Sequence, residues 1–303
     1  MVRITLFVAI GLLALASVVA WSLGIPARAI NTTLMTATDD LGRVLPTAEE
    51  TSPPASGRYV GLFYWQWHTG LRALPDYDVT EWMKTHPGYM DWTAHPEGGP
   101  DYPTWYWAQP IFGYYRSDDP WVIRKQLTLL SQAGVDFLFL DYTNASCYDT
   151  ELDTLLAIAR ELKQQGLPIP RLTFFLNHEP DWKAEHLYLK YYKPGEWDDM
   201  WFIWDGRPLL MAAMPTDPAK LREQPEVLPE LQNYFTWRQT WALHKAAKEP
   251  SRWLFIDEHP QRPALGPDGK VENLIVCHSM VEQLWGNMVK KSGSCVTVFP
   301  PNH

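Results

Sequence analysis

The sequence predicts an α/β fold, a (β/α)₈ barrel of the TIM type, over residues 58–303. Three observations support this prediction. An amphipathic helix leads into a continuous apolar run, which is typical of parallel strands that are buried on both faces. Strand-like and helix-like segments alternate, and the length of this region is close to that of a typical barrel. No glycine-rich dinucleotide or phosphate-binding motif follows a strand, so an open doubly wound sheet is the second choice.

The clearest helix–strand unit has the sequence GYYRSDDPWVIRKQLTLLSQAGVDFLFLDYTN. Ser117 or Asp118 offers an oxygen to cap the helix, and Pro120 suits its first turn. Gly134 ends the helix, because glycine tolerates a left-handed backbone. The apolar run Val135–Leu140 then forms the strand. Apolar residues recur in the helix at helical spacing: Val122, Ile123, Leu127, Leu129 and Leu130.

The first strand is predicted at Tyr59–Trp67, and a long loop follows it over residues 69–112. The aromatic content of the loop argues against disorder, and a loop of this length inside a compact domain is usually functional. We expect its rings to form one wall of a cleft on which sugar rings can stack. These rings are Trp92, Trp105, Tyr106 and Trp107.

The remaining elements continue the alternation. A helix over Asp149–Gln165 is stopped by Gly166, and a strand over Arg171–Leu176 follows it. An Asp-Gly pair beginning at Asp205 predicts the turn of a hairpin. The other segments are strands at 201–204, 208–214, 234–241 and 253–256, a helix within 217–233, and final strands at 272–281 and 296–299. The chain ends just after the last of these, at His303, which leaves open a barrel that is incomplete at its carboxyl end.

The amino terminus resembles an export signal. Arg3 precedes an apolar run, Ile4–Leu23, and the motif Ala27–Ala29 resembles a small-x-small cleavage site. The run is nearly long enough to span a bilayer, so an uncleaved anchor is the alternative to a cleaved signal peptide over residues 1–29. Residues 30–57 have the composition of a linker. In either case we expect the remaining chain outside the cytoplasm, in the extracellular space or the periplasm.

Composition argues against a nucleic-acid binder. The net charge is −9 with a pI near 5.5, and no basic run is present, so a phosphate backbone would be repelled. The 16 tryptophans indicate flat platforms that suit sugar rings. Three cysteines, Cys147, Cys277 and Cys295, allow at most one internal disulfide and match no zinc or redox motif.

Four carboxylates lie at predicted strand ends: Asp141, Glu179, Asp257 and Glu258. The carboxyl ends of barrel strands meet on one face, where the ligand site lies. Cleavage of a glycosidic bond needs two such groups, about 5–5.5 Å apart for retention or about 6.5–9.5 Å apart for inversion. Because side chains alternate along a strand, Asp257, on the same side as Phe255, points inward. We assign Asp257 and Glu179 as the acid/base and the nucleophile or second base, in either order, and Asp141 as a substrate-binding carboxylate of the same centre.

Polar and aromatic residues beside the same strands are candidates for substrate binding. They are Trp67, His68, Trp105, Trp107, Asn144, Asn177, Arg238, Glu258 and His259. Three candidates also have simpler roles: Asp141 can order a turn, Glu179 can be a solvated loop residue, and Arg238 can form a structural ion pair. The strand-end histidines lack the close spacing of zinc motifs, so neither a metal nor a cofactor is predicted.

The combination of FYWQWH, GYYRSDDPWVIRKQ, AGVDFLFLDYTN, FTWR and WLFIDEHPQ resembles secreted bacterial proteins of the glycoside hydrolase family 71/99-like group. The resemblance covers most of residues 58–262, and AGVDFLFLDYTN is its most specific part. It implies a (β/α)₈ barrel that acts on polysaccharide or glycan at the carboxyl ends of its strands. Family 99 members use glutamates in a Glu-Trp-x-Glu motif after a late strand. This motif is absent here, and the nearest string, Glu196–Asp199, lies in another part of the predicted barrel.

These patterns together predict a secreted glycoside hydrolase that acts on polysaccharide or glycan and contacts a membrane only through an uncleaved amino-terminal anchor. The alternative is a barrel that binds glycan without cleaving it, because the Glu-Trp-x-Glu motif is absent. A metal-dependent carbohydrate esterase ranks third. Inward-facing paired carboxylates within about 10 Å of each other would favour the hydrolase.

Overall fold

A computed structural model of the chain describes residues 36–47, 49–51, 57–67, 79–86, 110–113, 115–241, 252–255 and 263–274. Helices and mainly parallel strands alternate within them, as in other mixed α/β folds. None of the helices in these ranges is both long and apolar enough to span a membrane. The predicted signal or anchor at residues 1–29 and most of the predicted loop 69–112 lie outside the described residues.

Three parallel strands form the first sheet: β1 (Gly61–Tyr64), β2 (Phe137–Tyr142) and β3 (Arg171–Leu176). They pair in the order β1-β2-β3, and β2 is buried along its whole length. Their register sets Tyr142 beside Leu176, so the carboxyl ends of β2 and β3 are neighbours. The apolar run after the first amphipathic helix is therefore the central parallel strand that its composition predicts.

The later strands are shorter. They are β4 (Ile203–Trp204), β5 (Arg207–Leu210), β6 (Thr236–Trp237), β7 (Gln239–Trp241), β8 (Arg252–Phe255), β9 (Ala264–Leu265) and β10 (Val271–Asn273). Strand β5 pairs in parallel with β6, and β7 pairs in parallel with β8. A parallel bridge between Phe175 and Met211 joins β3 to the residue that follows β5. The pairs β4–β5 and β9–β10 are antiparallel.

The described α-helices lie mainly between the parallel strands. They are α1 (Val79–Thr85), α2 (Pro120–Gln132), α3 (Asp149–Gln164), α4 (Pro180–Leu187) and α5 (Leu228–Tyr234). Helix α3 ends within one residue of its predicted end. Helix α1 lies inside the segment that was predicted as a long loop, so that segment contains secondary structure of its own. A π-helical turn, Tyr188–Tyr192, continues α4.

Helix α2 begins with a cap that differs from the prediction. Asp119, rather than Ser117 or Asp118, accepts hydrogen bonds from the backbone N–H groups of Trp121 and Val122, at 2.9 and 3.0 Å. The physical reason is its place directly before the proline of the first turn, since the cap residue precedes the first helical residue.

The hairpin between β4 and β5 is confirmed. Asp205 and Gly206 have φ angles of 51° and 78°, both in the left-handed region. A two-residue type I′ turn requires positive φ at both positions, which explains why Asp-Gly is found there.

The side chains of the strands form an inner and an outer layer. Leu138 and Leu140 of β2 pack outward among the helices, whereas Phe139 points to an inner cluster. In that inner cluster the ring of Phe255 lies 5.1 Å from the ring of Phe63 and 5.1 Å from the ring of Phe175. Side chains of β1, β3 and β8 thus pack together in one inner cluster. The described residues do not show a complete barrel.

Candidate active site at the carboxyl ends of the parallel strands

Asp141 lies near the carboxyl end of β2 and faces the interior. It shares a face with Phe139 of the inner cluster, because side chains alternate along the strand. The residue is 4% exposed. Its Oδ2 accepts a hydrogen bond from Trp67 Nε1 at 2.8 Å, and its Oδ1 accepts hydrogen bonds from the backbone N–H and the hydroxyl of Thr143 at 3.0 and 2.7 Å. Asp141 therefore orders the turn after β2 and also binds the indole N–H of Trp67.

The Trp67 ring that binds this carboxylate packs against two further aromatic rings. The rings of Trp65 and Trp67 are 4.5 Å apart, and Trp67 stacks on Tyr148 at 6.4 Å with an interplanar angle of 13°. The amide of Asn144 donates to the Tyr148 hydroxyl at 3.2 Å. Burial raises the pKa of Tyr148 to about 12, so this hydroxyl stays protonated at neutral pH. Flat apolar faces beside a hydrogen-bonded carboxylate suit the binding of a sugar ring.

Glu179 follows β3 and directly precedes α4. Its φ of 49° lies in the left-handed region, which among the described non-glycine residues is shared only by Asp205 of the hairpin. Backbone strain of this kind is concentrated at functional sites. The exposed carboxylate forms an ion pair with Arg222, whose guanidinium lies 4.7 Å from the centre of the Trp182 ring. Asn177, two residues before Glu179, is half-buried.

A buried carboxylate holds the loop that carries Arg222. Glu185 on α4 is fully buried and accepts hydrogen bonds from the backbone N–H groups of Arg222, Glu223 and Gln224, at 2.6 to 3.1 Å. The loop is therefore fixed relative to α4, and the guanidinium of Arg222 is directed towards Glu179. The sequence patterns predict neither helix α4 nor this role of Glu185.

Arg238 is buried and bound to two carboxylates. Its Nε and Nη2 donate to Glu272 at 2.8 and 2.5 Å, and Nη2 also donates to Asp205 at 2.7 Å. Glu272 accepts further hydrogen bonds from the indole N–H groups of Trp204 and Trp253, each at 2.8 Å. Burial opposes ionisation of Glu272, but these hydrogen bonds hold its pKa below the usual value. Asp205 lies in the turn before β5, so Arg238 links this turn to Glu272. This arrangement agrees with the structural ion pair given above as the alternative to substrate binding.

A cavity of about 620 Å³ opens at the other ends of the strands. Tyr59, Asp136 and Arg171, which precede or begin β1, β2 and β3, contribute to its lining. Parallel barrels bind their ligands at the carboxyl ends of the strands. We therefore take the strand-end carboxylates, rather than this cavity, as the candidate site.

Six predicted site residues lie outside the described part of the chain: His68, Trp105, Trp107, Asp257, Glu258 and His259. Their convergence on Asp141 and Glu179 stays a prediction. Within the ranges that the structure describes, no group of three or more His, Cys, Asp or Glu residues is arranged to hold a metal ion. Cys147 is a free cysteine there, and burial raises the pKa of its thiol to about 12.

Comparison with known proteins shows distant similarity to solved structures. No protein-family model matches the chain, and no curated protein matches it. Among solved structures, the chain is similar to a GH99 endo-alpha-mannosidase from Bacteriodes thetaiotaomicron in complex with Bis-Tris propane, with 16% sequence identity and a TM-score of 0.35. The match covers 61% of this chain and 52% of that chain, so this chain spans about half the length of that structure. A similarity of this degree does not assign an activity.

Proposed function

We propose that this protein is a glycoside hydrolase that cleaves a glycosidic bond in a polysaccharide or glycan. The observation that carries the proposal is the placement of two carboxylates, Asp141 near the end of β2 and Glu179 shortly after β3, at the carboxyl ends of adjacent strands that pair in parallel. The aromatic rings beside Asp141 and the strained backbone at Glu179 support a binding and reacting site at this edge. The resemblance of the sequence to the family 71/99-like group supplies the substrate class.

In the proposed mechanism, Asp257 and Glu179 form the catalytic pair. One protonates the leaving oxygen, and the other acts as nucleophile or as the base that activates water. The exposure of Glu179 fits a group that exchanges protons with substrate and water. Asp141 binds substrate hydroxyls: its three donors fix its orientation, and its remaining lone pairs can accept hydrogen bonds from a sugar. Export remains part of the proposal, supported by the amino-terminal sequence pattern alone.

The experiment is a screen of the purified protein against soluble polysaccharides, namely α-mannan, β-glucan, xylan and pectin, with analysis of the released products. On a polysaccharide that is cleaved, Asp257→Asn and Glu179→Gln should each lower turnover about 10²–10⁴-fold, because each removes a positioned acid or base while keeping the side-chain shape. Glu196→Gln is the matched control, since Glu196 also forms a surface ion pair, with Arg160 at 2.9 Å. The control should keep parental turnover, and parental turnover in both test variants would contradict the assignment.

A glycan-binding barrel without catalytic activity is the second candidate. The observation in its favour is that both described carboxylates are engaged by protein groups, Asp141 by three donors and Glu179 by Arg222. The same screen separates the two candidates. Binding of a polysaccharide without any released product supports the second.

A further inference from the structure

Lys183 of α4 is fully buried, which is rare for a lysine. Among the residues that the structure describes, no carboxylate forms an ion pair with its ammonium group. Burial lowers the pKa of Lys183 to about 8, and negative charges that include those of Asp141 and Glu179 partly offset this effect. A buried cation without an ion-pair partner calls for another structural reason.

Its hydrogen bonds supply that reason. Lys183 Nζ donates to the backbone carbonyl of Tyr142 at 2.8 Å and also to the backbone carbonyl of Asn144. The carbonyl of Thr143, between them, accepts a hydrogen bond from the backbone N–H of His178 at 3.0 Å. These three consecutive residues are the last residue of β2 and the two that follow it, and together they form the strand-end loop. All of its carbonyl oxygens are thus bonded either to α4 or to the segment that follows β3.

The strand-end loop in turn holds the carboxylate of the candidate site. Thr143 donates its backbone N–H and its hydroxyl to Asp141, which also accepts the indole N–H of Trp67. A continuous path of hydrogen bonds and one short loop therefore leads from Lys183 to Asp141. An apolar residue in place of Lys183 would leave two carbonyls of this loop without their donor.

We propose that Lys183 is a positioning residue of the candidate site: it holds the strand-end loop so that the carboxylate of Asp141 keeps its orientation toward the interior. The proposal rests on the proposed function for what Asp141 binds. The dependence of the Asp141 orientation on Lys183 does not rest on the proposed function. It can be measured without any ligand.

The readout is the indole N–H resonance of Trp67 in a ¹H–¹⁵N spectrum, because this proton is donated to Asp141. The resonance is assigned by its loss in Trp67→Phe. Lys183→Met keeps the length of the side chain but removes its donors, and it should shift this resonance by more than the linewidth. Lys190→Met is the matched control. Lys190 lies one to two turns further along the same helical segment, where it pairs with Asp149 at 2.7 Å on the surface, so its removal should leave the resonance in place.

Two further variants carry the test if Lys183→Met does not fold. Thr143→Val removes one donor of the strand-end loop to Asp141 and should shift the Trp67 resonance in the same way. Lys183→Arg keeps the charge and the donors, and it should keep the parental resonance. Unchanged Trp67 resonances in both Lys183→Met and Thr143→Val, or in Thr143→Val alone if Lys183→Met is unfolded, would overturn the proposal.

Turnover separates this proposal from the proposed function. On a polysaccharide that the parent cleaves, Lys183→Met should lower kcat by roughly tenfold to a hundredfold, because a small displacement of a site group has effects of this size. Parental kcat in a folded Lys183→Met variant would overturn the positioning role and leave the hydrolase intact. Conversely, if the parent cleaves no polysaccharide but the Trp67 resonance shifts as expected, the proposed function fails and the dependence of Asp141 on Lys183 stands.

Discussion

Arg238 is a candidate residue whose buried charge is paired with carboxylates of the protein. Its guanidinium is engaged by Glu272 and Asp205, and Glu272 also accepts two indole N–H groups. Arg238 and Glu272 are thus paired inside the protein, and Asp205 adds an exposed carboxylate to the pair. Removing one member leaves the opposite charge buried and uncompensated, which is far more costly than the loss of a surface ion pair.

Arg238→Met should therefore lower the free energy of unfolding by about 3–5 kcal/mol, as measured by urea denaturation. The double variant with Glu272→Gln should recover part of this loss, because it also removes the stranded charge. Arg160→Met is the control, since Arg160 pairs with the exposed Glu196, and it should change stability by at most about 1 kcal/mol. If Arg238→Met lowers the free energy of unfolding by less than about 1 kcal/mol, the structural role is contradicted and substrate binding is the remaining role for Arg238.

The residue types at strand ends were predictable, but their partners were not. The sequence predicts Asp141 at a strand end, and alternation along the observed strand β2 places it on the inner face. Lys183 and Glu185 were not singled out, because the eight-residue helix α4 that carries them was not predicted. A helix this short shows no clear apolar period. The partners of these two are backbone groups of distant loops, and no spacing in the sequence encodes them.

At the scale of elements, the beginning of α2 shows that one of two adjacent aspartates caps the helix. Two aspartates stand side by side, but only Asp119 accepts backbone hydrogen bonds from the first turn. Asp118 pairs with Arg116 at 2.9 Å on the surface. The two side chains have the same chemistry and differ only in their geometry.

Asp119→Ala should lower the free energy of unfolding by about 1 kcal/mol, the usual effect of removing an N-cap. Asp118→Ala should change it by no more than about 0.5 kcal/mol, as for most surface substitutions. Both changes in the free energy of unfolding are measured by thermal or urea unfolding of the two variants. Equal losses in the two variants would show that the cap is shared and would contradict this account of α2.

Element types were predicted well where apolar pattern and turn residues agree. Strands β2 and β3 and helix α3 have a clear apolar pattern as well as turn residues at their ends. Strand β3 has the predicted bounds. The seven-residue helix α1 was missed, because it is too short to show a clear period within an aromatic-rich segment. The cap of α2 was misplaced by one or two residues, since several neighbouring residues can serve as caps and only the backbone geometry selects one.

At the scale of the whole molecule, the sequence does not reveal how the strands are arranged relative to one another. Alternating strands and helices are compatible with an open sheet as well as with a barrel. The contacts of the Phe255 ring with Phe63 and Phe175 bring rings of β1, β3 and β8 into one inner cluster, although β8 is not paired with β1, β2 or β3. These contacts join residues that are far apart in the chain, so only the folded structure shows them.

Because β1, β2 and β3 run in the same direction, the sheet that they form has two distinct ends. One carries Asp141, Glu179 and the rings of Trp65 and Trp67, and the other carries the cavity of about 620 Å³ beside Tyr59. The central claim is that glycan binds at the carboxyl ends of the strands.

The most direct test is a crystal structure of the Glu179→Gln variant with an oligosaccharide of the polysaccharide that the screen identifies. We expect the sugar to stack on Trp67 or Trp65 and to donate a hydroxyl to Asp141 within hydrogen-bond distance. An oligosaccharide bound instead in the cavity beside Tyr59 and Arg171, with the strand-end site empty, would contradict the claim.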